Sequence, residues 1–528
     1  LQESKVPQSK KVLSFCITPS QLLFLSKRSS MKYYLFLFGI LLSSLAAPAQ
    51  SIGPLIDKTG EFNPQLQKVV PLGSEGFVAL LLDQPEAPRS LTIRTFDIEE
   101  TMKAERVLTL SDRGLPAQLE GAFRWGDRLT VLTSIYYPGP RRNNLILRQY
   151  TLPDLEEISA QLIEEAYTPR NLRIPFGYSL SADQSRLLVY GWSYSLPEDP
   201  VRLKLQVFNR ELETEWVRNY ILPFKNETFY LYGSLLDAQG NAYLLCEEYQ
   251  GNPGGLSGVN ERKIKQIILY GGKDLERPRQ FSIEPGKLIL SGIRFALDQN
   301  DQLIGAGLYR KRSRSKYEGF ITVRIDGPAD RLGHQLLPVN KNQYKNAATE
   351  VPGRQPSGTN SYNFRDFTVD HLFLQDSALY VLGEQLIDNQ SQFPPFEYND
   401  IIIARINQDR YLDWVIRIPK RQEGFWEDLG KFSYRAFHQD GKLQLLYNNL
   451  NASRSGTSGN TVFATISKKG EVEFNDVSSE IQSRQPITPY PVKSWSLGGE
   501  QLLLFGIKTE KGELETMVIT IPWEELEE

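Results

Sequence analysis

The sequence predicts an all-β chain assembled from one repeated unit. Three observations carry this: runs of alternating apolar and polar residues bounded by Asp, Asn and Gly turns, a β-branched and aromatic bias within those runs, and no amphipathic helical stretch of about twelve residues or more beyond residue 50. The 528 residues are 40% hydrophobic and 23% charged, which places them among folded domains rather than disordered chains. A net charge of -3 argues against nucleic acid as the partner. With 3 His and 2 Cys, the chain has few ligands for a dedicated His/Cys metal site.

The first fifty residues read as targeting rather than fold. Residues 1–30 are expected to be a translated leader from a start codon placed too early. Residues 31–49 read as a signal peptide, with Lys32 as the basic end, residues 33–45 as the apolar stretch and Ala47-Pro48-Ala49 as the cleavage box. That apolar stretch is short for a membrane span, so residues 50–528 are expected to be an exported, non-spanning domain in the periplasm, on the outer cell surface or outside the cell. Cys16 goes with the leader. Cys246 is then left without a thiol partner and reads as a small core residue rather than a nucleophile.

From residue 76 onward one pattern recurs: an apolar or aromatic segment, a polar turn, then a stronger apolar strand. The turns fall at Gly73-Ser74-Glu75, Gly126-Asp127, Ala182-Asp183-Gln184-Ser185, Asp237-Ala238-Gln239-Gly240, Asp298-Gln299-Asn300-Asp301, Gln375-Asp376-Ser377, Gln439-Asp440-Gly441 and Gly498-Gly499-Glu500. Each unit continues into a second hairpin, clearest at residues 203–221, 401–418 and 462–470. Four antiparallel strands repeated about eight times describe a single β-propeller, most simply of eight blades with seven as the alternative. The last unit ends after its third strand, so residues 52–62 are expected to close the ring as an N-terminal strand in the final blade.

Residues 400–406 (Asp-Ile-Ile-Ile-Ala-Arg-Ile), then Trp414, Ile418-Pro419-Lys420, Gln422, Tyr447-Asn448-Asn449 and Asn451, resemble secreted, propeller-like proteins of unknown function from Bacteroidetes-type Gram-negative bacteria. The resemblance covers two of about eight units. It implies a propeller and an exported location, and carries no catalytic residues. Trp414 and Trp216 hold matching places and are expected to pack between units, while the Asn run reads as turn chemistry where a strand leaves for a loop.

Propeller topology puts the second-to-third and fourth-to-first connections on one face. In this sequence those are the long ones, at residues 250–262, 340–365, 387–398, 419–431 and 451–460, and as a group they are basic. Candidate ligand contacts on that face are Arg141, Arg142, Arg310, Arg312, Arg314, Lys316, Tyr317, Tyr344, Arg354, Phe396 and Trp426: guanidinium and ammonium groups for anions, rings for sugars or peptide side chains.

Enzyme signatures are absent. His334, His371 and His438 lie tens of residues apart without HExxH, and no GxSxG elbow or nucleotide-binding glycine pattern occurs. Aligning the turns sets Arg435, not His438, opposite His371. Asp237, Asp298, Asp301 and Asp440 read as turn formers, since they miss calcium-loop spacing. No cofactor or metal is expected. The leading expectation is a binding or scaffold propeller that recognises a peptide, glycan or protein, anionic in chemistry, through its long-loop face. The alternative is a propeller enzyme of lyase, lactonase or glycosidase type with carboxylates at the channel mouth, and a third reading is a structural part of a cell-envelope assembly.

Overall fold

The computed structural model describes residues 65–520 apart from 84–87, 168–175, 194–196, 251–262, 285, 313–314, 341, 347–365, 376, 389–395, 425–431, 440–441, 454–455, 480, 482–486, 492–493, 499–500 and 509–513. The leader, the signal segment and the strand expected at residues 52–62 lie outside the described residues.

The strands follow one another as up-and-down antiparallel meanders. The first unit is Gln65–Pro71, Phe77–Leu82, Ser90–Phe96 and Met102–Thr109. The second is Leu115–Trp125, Arg128–Tyr137, Arg142–Thr151 and Glu157–Tyr167, and the third Phe176–Leu180, Arg186–Ser193, Pro200–Asn209 and Thr214–Lys225. Phe229–Leu236, Ala242–Gln250, Lys263–Gly271 and Arg279–Ile283 make the fourth; Ile289–Leu297, Leu303–Arg310, Gly319–Asp326 and Arg331–Pro338 make the fifth. The sixth is Phe367–Gln375, Ala378–Asp388, Phe396–Ile406 and Leu412–Ile418. Next come Tyr434–Gln439, Lys442–Ser453, Gly456–Ile466 and Val472–Asp476. In the last unit Gln501–Lys508 pairs Leu514–Thr520 on one side, and on the other an inner edge broken into Ile487–Pro489 and Trp495–Gly498.

The apolar core explains why these meanders stack. It divides into clusters, each drawn from two consecutive units: one joins Leu188, Leu205 and Trp216 of the third unit to Leu244, Cys246 and Ile267 of the fourth, another joins Phe437 and Phe463 of the seventh to Leu502 and Leu504 of the last. Each sheet therefore buries both faces, and a second strand such as Phe77–Leu82 is buried at every position. Inner strands differ. Phe176–Leu180 and Ile289–Leu297 are half-buried over most of their length, as strands lining a central channel must be. Inner strands of neighbouring units touch, and Trp495–Gly498 of the last unit reaches the Gly73–Glu75 turn of the first, so the path returns to its start. This is the architecture of a β-propeller.

Local sequence sets the details. Asp237 Oδ1 accepts the backbone N–H groups of Gln239 (3.0 Å) and Asn241 (2.6 Å), and Asp298 Oδ1 those of Asn300 and Gln302, both 2.9 Å. These Asp side chains are turn chemistry. Trp216 Nε1 donates to Gly240 O at 3.0 Å and Trp414 Nε1 to Lys468 O at 3.1 Å, so each Trp pins the following unit's turn. Cys246 is buried, and burial pushes its thiol pKa well up, away from nucleophilic chemistry.

Two expected loops are corrected. The Asn run does not leave a strand: Asn448 pairs Thr461, Asn449 pairs Asn460, and the hairpin extends to Ser453 and Gly456. Asn is tolerated because these residues pair with other polar residues in a ladder beyond the core. The long connections also form sheet in part. Tyr344–Asn346 adds a parallel strand outside Leu412–Ile418, and Gln422–Gly424 bridges Phe396–Ile406 to Lys442–Ser453.

Candidate functional site

Inner strands run from the face of the long connections toward the face of the short turns. The inner strands of the fifth, sixth and seventh units bring Arg294, Asp370, His371, Tyr434 and Arg435 together. Asp370 is the extra residue of a bulge: Val369 pairs Gly383 and His371 pairs Leu382, leaving Asp370 unopposed. A second bulge on the fifth unit's inner strand, between Ser291 and Arg294, contains Gly292 at φ +60°. A Cβ there would sit 2.6 Å from the Val369 backbone nitrogen, so only glycine allows these two strands to meet. The close approach lets Arg294 Nε donate to Asp370 O at 3.2 Å.

Behind Asp370 lies a polar network between the sixth and seventh units. Lys420 has 0% exposure; its ammonium pairs with Glu384 Oε1 and donates to Gln422 Oε1 at 2.7 Å. Ser433 Oγ donates to Glu384 Oε2 at 2.6 Å, and the Ser433 N–H donates to Gln422 Oε1 at 2.7 Å. Gln422 Nε2 donates to Asn448 O at 2.7 Å. On the opposite face of the sheet, toward the fifth unit, Arg417 pairs with Asp400, whose Oδ1 also accepts the Lys420 N–H at 3.3 Å. These bonds hold Lys420, Gln422 and Ser433, and Ser433 directly precedes Tyr434. Its hydroxyl donates to Asp370 Oδ2 at 3.4 Å.

The electrostatics follow from depth and neighbours. Burial, reinforced by the negative field of Glu384, raises the Asp370 pKa to about 8 against the pull of Arg294, so the carboxyl holds its proton at neutral pH. Burial, then the positive fields of Arg435 and Arg294, lowers His371 to about 3 and keeps the imidazole neutral. Burial brings Arg435 down to about 10 and pushes the Tyr434 phenol well up. Lys420 is lowered by burial, with Glu384 opposing. A mouth with two guanidinium groups, a protonated carboxyl and a neutral imidazole favours anions and can donate hydrogen bonds to them.

Rings line the same strands. Phe373 stacks on His371 with centroids 5.8 Å apart, Tyr434 meets His371 edge-on at 5.5 Å, and Phe373 continues to His438 at 6.3 Å. His438 hydrogen-bonds Gln375, whereas Arg435 faces His371, as turn alignment expects. On the strand carrying Tyr447, Asn449 points toward the same seam. Both side-chain atoms of Asn449 are shut from solvent, and among the described residues neither has a hydrogen-bond partner.

The residues predicted from the sequence scatter around this mouth. Arg310 lies over the Tyr317 ring at 5.2 Å, and Tyr317 is buried at the seam of the fifth and sixth units. Tyr344 accepts a hydrogen bond from Arg417, beside the network. Arg141 and Arg142 are exposed on the second unit, where Arg142 pairs with Glu165 at 2.7 Å. Arg312 and Lys316 are exposed on the fifth. Arg314, Arg354 and Trp426 lie outside the described residues; Phe396 begins its strand, and its backbone pairs with Asp388 and Gly424. Sequence reasoning missed Arg294, Asp370, Glu384, Ser433 and Tyr434. The available signal was Asp370 beside His371, an extra residue in a strand of otherwise regular alternation.

A cavity of about 530 Å³ opens on the short-turn face, lined by Trp125, Arg128, Gln149 and Arg210 among others. Its polar groups already serve the turns: Trp125 Nε1 and Arg210 Nε both donate to Gln184 O, and Arg128 donates to Gln149. It is a seam between turns, and the charged mouth on the opposite face is the better candidate.

No protein-family model matches the chain, and no curated protein does. Among solved structures it is similar to the WD40 domain of SCAP from fission yeast, at 10% identity over 87% of this chain and 91% of that one, TM-score 0.37. It is also similar to polysaccharide lyase Uly1, at 9% identity over 79% and 92%, TM-score 0.38. A third is the beta-propeller domain of the Trilobed protease from Pyrococcus furiosus, at 9% over 79% and 96%, TM-score 0.35.

Proposed function

We propose that the protein is an exported propeller that binds a carboxylate-bearing glycan at the channel mouth of its fifth to seventh units. One observation carries the reading: Arg294 and Arg435 both face His371 on channel-lining strands, in a cluster whose carboxylates Glu384 and Asp400 already have cationic partners. A carboxylate complements the charge of two guanidinium groups, and the half-buried His371 and Phe373 rings offer flat faces for sugar rings. The Asn449 amide adds an acceptor and donors that hydroxyl groups fit. Export rests on the basic end, apolar stretch and cleavage box of residues 31–49.

The test is calorimetric titration of residues 50–528 with oligogalacturonate, an uncharged oligosaccharide of equal length and an oligoglutamate peptide. Saturable, salt-sensitive binding of the acidic glycan alone supports the reading. Preference for the peptide reassigns the ligand class, and binding of the neutral sugar with equal strength sinks it. A second reading, acid–base catalysis on the same ligand, is favoured by the protonated Asp370 beside neutral His371. It predicts chain cleavage of the acidic glycan, read as new reducing ends, abolished by Asp370→Asn; no cleavage over long incubation with saturating binding leaves the protein a binder.

A further inference from the structure

Two carboxyl groups share the mouth, and their partners differ. Glu384 has an ammonium on one oxygen and the Ser433 hydroxyl on the other, so its charge is compensated and both oxygens are occupied. Asp370 makes no ion pair among the described residues: Arg294 is engaged by its backbone oxygen, and its carboxyl receives only the long Tyr434 bond. Where two carboxyls lie close and one is clamped by a cation, the other keeps the proton.

We propose that the mouth binds its anionic ligand together with a proton on Asp370: the protonated carboxyl donates a hydrogen bond to a ligand carboxylate that Arg294 and Arg435 attract, and ionisation of Asp370 expels it. This rests on the anionic-ligand reading above and adds its regulation. The groups facing Asp370 are Arg294 from the fifth unit, His371 and Glu384 from the sixth, Lys420 from the connection beyond it, and Tyr434 and Arg435 from the seventh. Lys420 and Glu384 compensate each other, Arg435, at about 10, keeps its charge up to about pH 9, and His371 stays neutral across that range. Asp370 is thus the group whose charge changes there, in agreement with its raised pKa of about 8. A uronate carboxylate is ionised throughout that range, so the ligand itself contributes no titration.

The experiment follows the dissociation constant for oligogalacturonate from pH 6 to pH 9, below the Arg435 titration, at fixed ionic strength, repeated in buffers of different ionisation enthalpy. Wild type is expected to bind with flat affinity at the acidic end and to weaken by about tenfold per pH unit once Asp370 ionises. At the alkaline end, binding takes up about one proton per ligand. Asp370→Asn, whatever its absolute affinity, gives a flat profile and no buffer dependence. Wild-type binding that is flat to pH 9, or a loss over that range that persists in Asp370→Asn, overturns the proposal and leaves the anion site standing. Absence of any binding at pH 6 overturns both. Asp370→Asn that unfolds is distinguished by circular dichroism, and Tyr434→Phe then provides the second arm. Losing its hydroxyl, which stabilises the ionised carboxyl, moves the alkaline fall-off to higher pH; an unmoved midpoint also counts against the proposal.

Discussion

Two seams of the ring carry out the same packing with opposite chemistry. Between the third and fourth units, Leu188, Leu205, Trp216, Leu244, Cys246 and Ile267 close on one another as an apolar interior. Between the sixth and seventh, an apolar floor of Trp414, Ile416, Leu445 and Tyr447 gives way at the long-connection end to Lys420, Glu384 and Gln422, all buried. The first seam needs only the hydrophobic effect. The second must satisfy each desolvated charge by geometry, and a buried ion pair is seldom more stabilising than apolar residues of the same volume. Among the described residues, six other pairs of consecutive units pack through apolar clusters. The difference teaches where to look: the seam that departs from the repeat is the one that shapes the mouth.

The largest expected effect comes from breaking the polar seam on one side. Lys420→Met leaves Glu384 buried without its cation and should cost about 3–5 kcal/mol in urea unfolding. Adding Glu384→Leu should recover most of that loss. A cost near zero for the single change would show that the seam admits water and that the contrast is only apparent.

At the apolar seam, Leu205→Ala should cost about 2–5 kcal/mol, because a fully buried side chain leaves a cavity between two sheets. No second substitution nearby should rescue it as Glu384→Leu rescues Lys420→Met. Rescue by a polar partner would blur the distinction between the seams.

Asp370 gives the seams different responses to pH. Its folded pKa is raised from 3.8 to about 8, so the folded protein holds a proton that the unfolded chain has released. Its contribution is fully present below about pH 4 and lost as pH climbs through about 8. Thermal melts should therefore show Asp370→Asn gaining on the wild type across that window, with a constant difference beyond it. A wild type that gains on Asp370→Asn as pH rises would contradict the assignment.

The smallest effect is expected from Cys246→Ser in the apolar seam, a loss of about 1–3 kcal/mol from a buried hydroxyl and no change in ligand binding. A binding defect there would mean that the two seams are coupled through the ring.

The apolar seams were legible in the sequence and the polar one was not, for a physical reason. Strand alternation and Asp or Gly turns are local signals, so the meanders around Asp237 and Asp298 follow from a few neighbouring residues. Trp216 and Trp414 could be placed between units because their positions repeat. The mouth is assembled by residues far apart in sequence, 76 positions in the Arg294–Asp370 contact alone, and rests on two bulges that no periodicity reveals. Counting basic residues in loops picked out Arg310, Tyr317 and Tyr344, which lie at the seam of the fifth and sixth units or beside Arg417. It passed over Asp370 and Arg294 because they belong to strands.

The central claim is that the two inner-strand arginines hold the ligand. Its most direct test compares oligogalacturonate affinity at pH 7 for wild type and Arg294→Gln/Arg435→Gln, with folding checked by thermal melts. The account predicts a loss of tenfold or more on removing these two charges from a desolvated site. An unchanged dissociation constant, or a loss that instead follows Arg141, Arg142 and Arg312 on the exposed loops, would contradict it.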